Sequence, residues 1–208
     1  MHDSSSGFVF EGDARQRRAA GELGIWLFLA SEVLFFGGLF TSYAIYRTLY
    51  PEAFTIAARE TELTLGAINT AVLLTSSLTI ALAVKVEQTD RVLSQRLVIA
   101  TILLGLLFLG IKAVEYAGDI EKGLVPGSGF SLVPAETQIF WALYWVMTGV
   151  HALHVIGGMG VLATLYFLTR FGQTSPDSSR LEVGALYWHL VDMIWIFLFP
   201  ILYLVGRA

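Results

Sequence analysis

The sequence contains no cysteine, which excludes several kinds of site before any pattern is considered. A disulfide, an iron–sulfur cluster, a thiolate zinc site and a cysteine nucleophile all need the thiol group. Charge is also scarce, since only 14% of the 208 residues are Asp, Glu, Lys or Arg and the formal net charge is −4. The 13 Lys and Arg are scattered without forming a basic stripe, so the sequence predicts no nucleic-acid partner.

Apolar residues take the place of the missing charge. They make up 55% of the chain, and the mean hydropathy is +0.67. A water-soluble domain of this size needs more polar surface than such a composition provides. The apolar residues also form long runs, and a run of about 20 residues matches the hydrocarbon thickness of a bilayer. The composition therefore predicts an integral membrane protein.

Five apolar stretches follow a polar arm at residues 1–21 and form one membrane domain, residues 22–208. The predicted spans cover about residues 22–46, 63–85, 95–117, 138–168 and 183–206. Each stretch is long enough to cross the bilayer as a helix. The connections are too short to form a separate domain. We therefore predict an all-α bundle of five transmembrane helices.

Lys and Arg are distributed unequally between the two predicted sides of the membrane. Eight lie on one side: Arg15, Arg17, Arg18, Lys85, Arg91, Arg96, Arg170 and Arg180. Four lie on the other: Arg47, Arg59, Lys122 and Arg207. Because positive residues accumulate on the cytoplasmic side, we predict a cytoplasmic N-terminus and a periplasmic C-terminus in a bacterial inner membrane.

Glu32 is the only charged residue in the interior of the first predicted span, which begins at Glu22. It lies about ten residues into the helix, close to mid-bilayer at about 1.5 Å per residue, and Phe28, Phe35 and Phe36 are its helical neighbours. A charged residue near the bilayer centre costs about 2.5–3.5 kcal/mol, so we expect a protonated carboxyl. The residue is either a proton-exchanging or lipid-contacting acid, or a neutral carboxyl that bonds to a neighbouring helix.

Three histidines and one aspartate lie inside the last two predicted spans. His151 and His154 have i,i+3 spacing, which places both on one helix face, and His189 and Asp192 share the same spacing. The first pair could ligate haem or a metal, although a bis-histidine haem needs ligands on facing helices; interhelical hydrogen bonding is the favoured alternative. For the second pair, Asp192 could orient a histidine, and we favour a structural lock between helices over catalysis.

Depth along the helices suggests that several of these groups meet. Glu32, His154, His189 and Asp192 fall at similar depths in the inner half of the membrane. Because pairing lowers the cost of burying each polar group, we predict one connected polar cluster joining the first, fourth and fifth spans. A second group, Lys112 and Glu115 near the outer end of the third span, is predicted to form a local ion pair. Gly157, Gly158 and Gly160 are predicted to allow close helix packing.

Five short motifs, one in each span and in this order, resemble subunit III of the haem–copper cytochrome c oxidases. They are residues 31–36 (SEVLFF), 68–74 (INTAVLL), 115–116 (EY), 148–155 (TGVHALHV) and 187–195 (YWHLVDMIW). The resemblance covers about residues 21–207 and corresponds to the five-helix bacterial form. Many members have two further N-terminal helices, and the lipid-filled cleft that those helices form is therefore in question for this chain.

The resemblance implies a subunit of an enzyme complex without an active site or redox cofactor of its own. Haem and copper are expected in the partner subunits, and phospholipid is expected to bind this chain. The expected direct partner is oxidase subunit I, together with other oxidase subunits. The implied role is to support proton uptake and active-site stability while the complex reduces oxygen with electrons from cytochrome c.

Three alternatives stay open. Quinol oxidases also have a subunit III, but that branch tends to have Asp at the position of Glu32, which favours cytochrome c. An accessory protein of nitric oxide reductases is similar around residues 199–204. The third alternative is a self-sufficient membrane haem or metal enzyme that uses His151, His154 and His189.

Overall fold

The computed structural model describes the backbone of residues 5–171 and 178–207 and the side chains of residues 23–171 and 180–207. Residues 1–4 of the predicted arm and residues 172–177 of the last predicted connection lie outside the described residues. The side chains of Arg15, Arg17 and Arg18, on which the predicted orientation partly depends, also lie outside the described residues.

The regular structure in the described part of the chain is entirely helical. The elements are α1 (Ser5–Leu49), α2 (Pro51–Arg59), α3 (Leu63–Val86), α4 (Arg91–Glu121), α5 (Thr137–Arg170), α6 (Ser178–Phe199) and a π-helical turn (Pro200–Leu204). Five helical segments of the described residues are long and apolar enough to cross a membrane: Leu23–Leu49, Leu63–Val86, Arg91–Glu121, Thr137–Arg170 and Arg180–Leu204. The predicted fold class, a membrane protein with five transmembrane helices, is confirmed.

The chain divides into two compact units, Met1–Gly38 and Leu39–Ala208. The described part of the first unit consists of the amino-terminal part of α1, which is already helical at Ser5, within the predicted polar arm. The second unit contains the last turns of α1 and all later elements.

Four helices of the second unit form a closed ring of contacts. α4 packs against α3 and α5, and α6 packs against α5 and α3. Sequential neighbours run in opposite directions, so the α3–α4 and α5–α6 connections lie at one end of the ring. Residues 122–136 and the C-terminus lie at the other end, where Arg59 Nε donates to the Gly206 carbonyl at 3.0 Å.

Helix α2 lies in a segment that the sequence predicted only as a connection. Pro51 occupies its first turn, where the missing N–H costs nothing and the fixed φ suits a helix. Its apolar face buries Ala53, Phe54, Ala57 and Ala58 and packs against α5 and the π-helical turn. The amphipathic spacing of these four residues, too short to be a membrane span, makes the segment helical.

Trp188 of α6 fills the centre of the ring and is fully buried. A Cβ atom added to Gly105 of α4 would lie 2.8 Å from Trp188 Cη2, and one added to Gly158 of α5 would lie 2.9 Å from Trp188 Cε3. Both glycines therefore make room for the indole, as close helix packing in membranes requires. For the other two predicted packing glycines, a Cβ added to Gly157 would make only an ordinary contact with the Tyr187 hydroxyl at 3.5 Å, and one added to Gly160 would meet no atom within 4 Å.

The orientation of this fold in the membrane remains a prediction from the Lys and Arg distribution. We expect alkaline phosphatase fused after Ala208 to be active, because the C-terminus is predicted to be periplasmic. The matched fusion at Thr89, in the α3–α4 connection, should be inactive. The reverse pattern would overturn the predicted orientation, and equal activity of both fusions would contradict the placement of these two sites at opposite ends of the ring.

Candidate functional site

An ion pair lies buried on α4, between Lys112 and Glu115. The Lys112 Nζ atom is 3.1 Å from Glu115 Oε2, and the two residues are only 2% and 1% exposed. The ammonium is not aligned for a hydrogen bond with Oε2, so this contact is an ion pair alone. The pair thus lies inside the ring of helices, although the sequence suggested only a local pair near a helix end.

Two tyrosines from other elements complete the coordination of this pair. The Lys112 ammonium donates to the hydroxyl oxygens of Tyr144 on α5 and Tyr203 on the π-helical turn, each at 3.0 Å. The same hydroxyls lie 2.7 and 2.6 Å from Glu115 Oε1, to which they can donate. The network therefore connects α4, α5 and the C-terminal turn through charge-assisted hydrogen bonds.

Asp119 extends the network by one further helical turn. It is 1% exposed, and its Oδ2 atom lies 3.1 Å from the Tyr144 hydroxyl. Lys112, Glu115 and Asp119 follow an i, i+3, i+7 pattern, so all three lie on one face of α4. A neighbouring bond of 2.7 Å between the Tyr116 and Thr148 hydroxyls also joins α4 to α5.

Aromatic rings surround the buried ammonium. Lys112 Nζ lies 4.8 Å from the ring centre of Tyr116, 4.9 Å from that of Tyr144 and 5.7 Å from that of Trp195. A cation near an aromatic face is attracted by the ring quadrupole, and the attraction is stronger where water is excluded. The rings therefore stabilise a charge whose removal from water is costly.

His151 lies against this aromatic group and is fully buried. Its ring centre is 5.5 Å from that of Phe108 and 5.2 Å from that of Trp195. Neither ring nitrogen forms a hydrogen bond. The favoured prediction of an interhelical hydrogen bond is therefore wrong for His151, because rings rather than polar groups occupy its surroundings.

His154 is half-buried, and its Nδ1 atom lies 2.8 Å from the Val150 carbonyl oxygen of its own helix. The i,i+3 spacing that suggested a ligand pair places one imidazole among rings and the other along the backbone of α5. In the described part of the chain, no three His, Asp or Glu side chains form a group that could hold a metal ion.

His189 and Asp192 on α6 do not bond to each other. His189 Nδ1 lies 2.7 Å from the Ser77 hydroxyl of α3. Asp192 is 3% exposed; neither of its oxygens forms a hydrogen bond, although Ser77 is also its polar neighbour. A histidine therefore does lock α6 to α3, but a serine, not the predicted aspartate, is its partner.

The predicted cluster of Glu32, His154, His189 and Asp192 is not connected through Asp192, which forms no hydrogen bond. Glu32 lies half-buried on α1 in the first unit, and the other three lie in the second. Asp192 therefore adds no hydrogen bond to the predicted cluster, and the meeting of Glu32 with His154 and His189 stays a prediction.

A second ion pair lies at the surface of the same end of the ring. Lys122 Nζ donates to Glu62 Oε1 at 2.6 Å, and the two side chains are 41% and 49% exposed. This hydrogen bond raises the pKa of the Lys122 ammonium, mainly because it favours the charged form. The pair has the same chemistry as Lys112 and Glu115 in a solvated setting, which makes it a natural control.

Comparison with known proteins decides the family. Residues 2–207 match the sequence profile of the family described as Cytochrome c oxidase subunit III. The chain belongs to this family.

Proteins from two staphylococci illustrate the similarity. A protein of Staphylococcus haemolyticus (strain JCSC1435) named "Probable quinol oxidase subunit 3" is 30% identical over 189 residues, which are 90% of this chain and 90% of that protein. The protein with the same name in Staphylococcus aureus (strain USA300) is also 30% identical, over the same shares of both chains. The chain is thus a subunit III of a haem–copper oxidase complex, with other oxidase subunits as partners, and a multi-pass plasma membrane protein.

The motifs that carry the subunit III resemblance contact one another in the structure. Trp195 Nε1 of α6 donates to the Thr70 hydroxyl of α3 at 3.0 Å, and Tyr116 of α4 bonds to Thr148 of α5. Just outside the α3 motif, Ser76 accepts a hydrogen bond of 3.0 Å from Trp188 Nε1. These motif residues hold neighbouring helices together.

The sequence did not predict three members of the buried network. Asp119 was assigned to a connection, although its spacing from Lys112 and Glu115 on one helix face is a signal that could have found it. Tyr144 and Tyr203 gave no such signal, because nothing in the order of residues shows that α5 and the C-terminal turn meet α4.

Proposed function

We propose that this chain is a non-redox subunit that packs on oxidase subunit I, binds phospholipid and supports proton uptake and active-site stability during oxygen reduction. The observation that carries the proposal is the Lys112–Glu115 network, in which the buried charges are held by one another and by tyrosines of two other elements. Such a network stabilises one arrangement of helices, as a supporting subunit requires.

The outward faces of the helices support the proposed contacts with subunit I and lipid. Leu103 and Val114 on α4 are 58% and 65% exposed, and Leu153 on α5 is 66% exposed. Large apolar side chains on the outside of a transmembrane bundle suit both acyl chains and the helices of another membrane subunit.

The test is gentle removal of this chain from the purified oxidase, followed by oxygen consumption over time. We expect the depleted complex to start with activity but to lose it several-fold faster during turnover. At high pH we also expect slower proton uptake. The physical reason is that a packed neighbour and its lipids restrict water and local opening near the proton entrance and the buried site.

Adding the wild-type chain back is the control and should restore the lifetime of the complex. Immediate loss of all activity, with the haem and copper content unchanged, would show that this chain carries an indispensable catalytic group. If the depleted complex keeps its activity as long as the intact complex does, the proposed supporting role is wrong.

A second proposal concerns the electron donor. The staphylococcal relatives have quinol oxidase in their names, which favours a quinol, whereas Glu32 in the first motif favours cytochrome c. Oxygen uptake by the purified complex, measured separately with a reduced quinol and with reduced cytochrome c, decides between them. The haem content of the large subunit that co-purifies also tests the nitric oxide reductase alternative.

A further inference from the structure

The hydrogens of the buried network can be counted. An ammonium has three hydrogens and a phenol has one. Two Lys112 hydrogens reach the hydroxyl oxygens of Tyr144 and Tyr203, and the third side of the ammonium faces Glu115 Oε2 at 3.1 Å. Neither a hydrogen bond nor an ion pair joins this ammonium to Asp119.

Both oxygens of the Glu115 carboxylate have a partner. Its Oε1 atom lies 2.6 Å from the Tyr203 hydroxyl and 2.7 Å from the Tyr144 hydroxyl. Its Oε2 atom faces the ammonium. With two hydroxyl donors and one cation, this carboxylate needs no proton of its own.

The Asp119 carboxyl has fewer hydrogen-bond donors around it than an ionised carboxylate needs. Its Oδ2 atom has the Tyr144 hydroxyl as partner, at 3.1 Å, but Tyr144 has a single hydrogen and lies closer to Glu115 Oε1, at 2.7 Å. The other oxygen, Oδ1, has no hydrogen-bond partner. An ionised Asp119 would also be a second buried anion beside one cation, and burial of an unmatched charge in a low-dielectric interior is unfavourable.

We propose that Asp119 is a proton-binding site, with the proton on Oδ2. The Asp119 O–H then donates to the Tyr144 oxygen, which also accepts from Lys112, while Tyr144 donates its own hydrogen to Glu115. Every donor and acceptor of Tyr144 is used once. The network holds one positive and one negative charge, with Asp119 neutral.

The charged and titratable groups around Asp119 come from three elements. Glu115 and Lys112 lie on the same face of α4, and Lys122 lies just beyond its end. Tyr144 faces it from α5, and Tyr203 of the π-helical turn reaches the shared partner Glu115. Lys122 is bound to Glu62, so its charge is already matched at the surface.

Asp119 lies near one end of the ring of helices. It lies three residues before Lys122, whose side chain is 41% exposed, at the end of the ring that carries residues 122–136 and the C-terminus. The aqueous phase nearest to the site is therefore the one at that end. Through Tyr144 it couples one proton to the contacts that hold α4, α5 and the C-terminal turn together.

The test is infrared spectroscopy of the full chain in detergent at neutral pH. The difference spectrum of wild type minus Asp119→Asn should contain a protonated-carboxyl stretch that moves in D₂O. It should also move when aspartate carboxyl carbons are labelled with ¹³C and stay in place when glutamate is labelled. Only ionised-carboxylate bands, or a band that moves with glutamate labelling, would overturn the proposal. Glu62→Gln is the matched control and should remove ionised-carboxylate bands alone.

Thermal stability gives a second, independent readout. The Asn amide can donate to Tyr144 as the protonated acid does, so Asp119→Asn should shift the Tm by no more than a few degrees. Asp119→Leu removes the donor and should lower the Tm clearly. If Asp119→Asn lowers the Tm as much as Lys112→Met does, Asp119 acts as an ionised partner of Lys112 and the proton site does not exist.

Discussion

Replacement of Lys112 by methionine is expected to lower the free energy of unfolding by about 3–5 kcal/mol, the usual loss when one partner of a buried ion pair is removed. Methionine has a similar length, so the loss comes from charge and not from a cavity. The variant leaves the Glu115 carboxyl buried among tyrosines and rings without its cation. Unfolding of the chain in detergent, followed by helical circular dichroism, measures the change.

Lys122→Met is the matched control, because it makes the same substitution in an ion pair whose side chains are 41% and 49% exposed. Solvent screens such a pair, and we expect a loss of about 0–1 kcal/mol. The double variant Lys112→Met with Glu115→Gln should recover part of the loss, since the uncompensated charge is gone. Equal losses at Lys112 and Lys122 would mean that the buried network does not stabilise the fold.

Replacement of Trp188 by alanine is expected to lower the free energy of unfolding by about 3–5 kcal/mol, as for other large buried aromatics. The indole is fully buried, leaves no room for a Cβ at Gly105 of α4 or Gly158 of α5 and donates to Ser76 of α3. Its loss removes packing contacts that drive helix association inside a membrane, where the hydrophobic effect between helices is absent. The same unfolding measurement tests it.

Met193→Ala on the same helix is the control, because Met193 is 54% exposed and its truncation leaves no cavity inside the ring. The loss of unfolding free energy for Trp188→Phe should lie between those of the other two variants. Phenylalanine keeps most of the ring volume but leaves the Ser76 hydroxyl without the indole N–H. A Trp188→Ala variant as stable as Met193→Ala would contradict the central role of the indole.

The number and type of the membrane helices were predictable because a bilayer demands about 20 apolar residues per crossing, and such runs are visible in the chain itself. The same rule predicted no helix at residues 47–62, because no long apolar run exists there. The short helix α2 still forms in this segment by burying four small or aromatic side chains. Family membership was also predictable, because the five motifs lie in order and the family match covers residues 2–207.

The contacts between polar side chains were predictable only where both residues lie on one helix. Helical spacing placed Lys112 beside Glu115 and could have added Asp119, since all three lie on one helix. It placed His189 beside Asp192 as well, yet the imidazole bonds to Ser77 of another helix.

The sequence by itself determined the membrane class, the five crossings and the family, since these depend on composition and local order. Only the tertiary structure decided that Tyr144 and Tyr203 bind Lys112, that rings lie against His151 and that Asp119 Oδ1 is buried without a hydrogen-bond partner. Those facts depend on the rotation of each helix about its axis and on its distance from its neighbours. Packing of large side chains such as Trp188 against glycines sets both quantities, and no single helix contains that information.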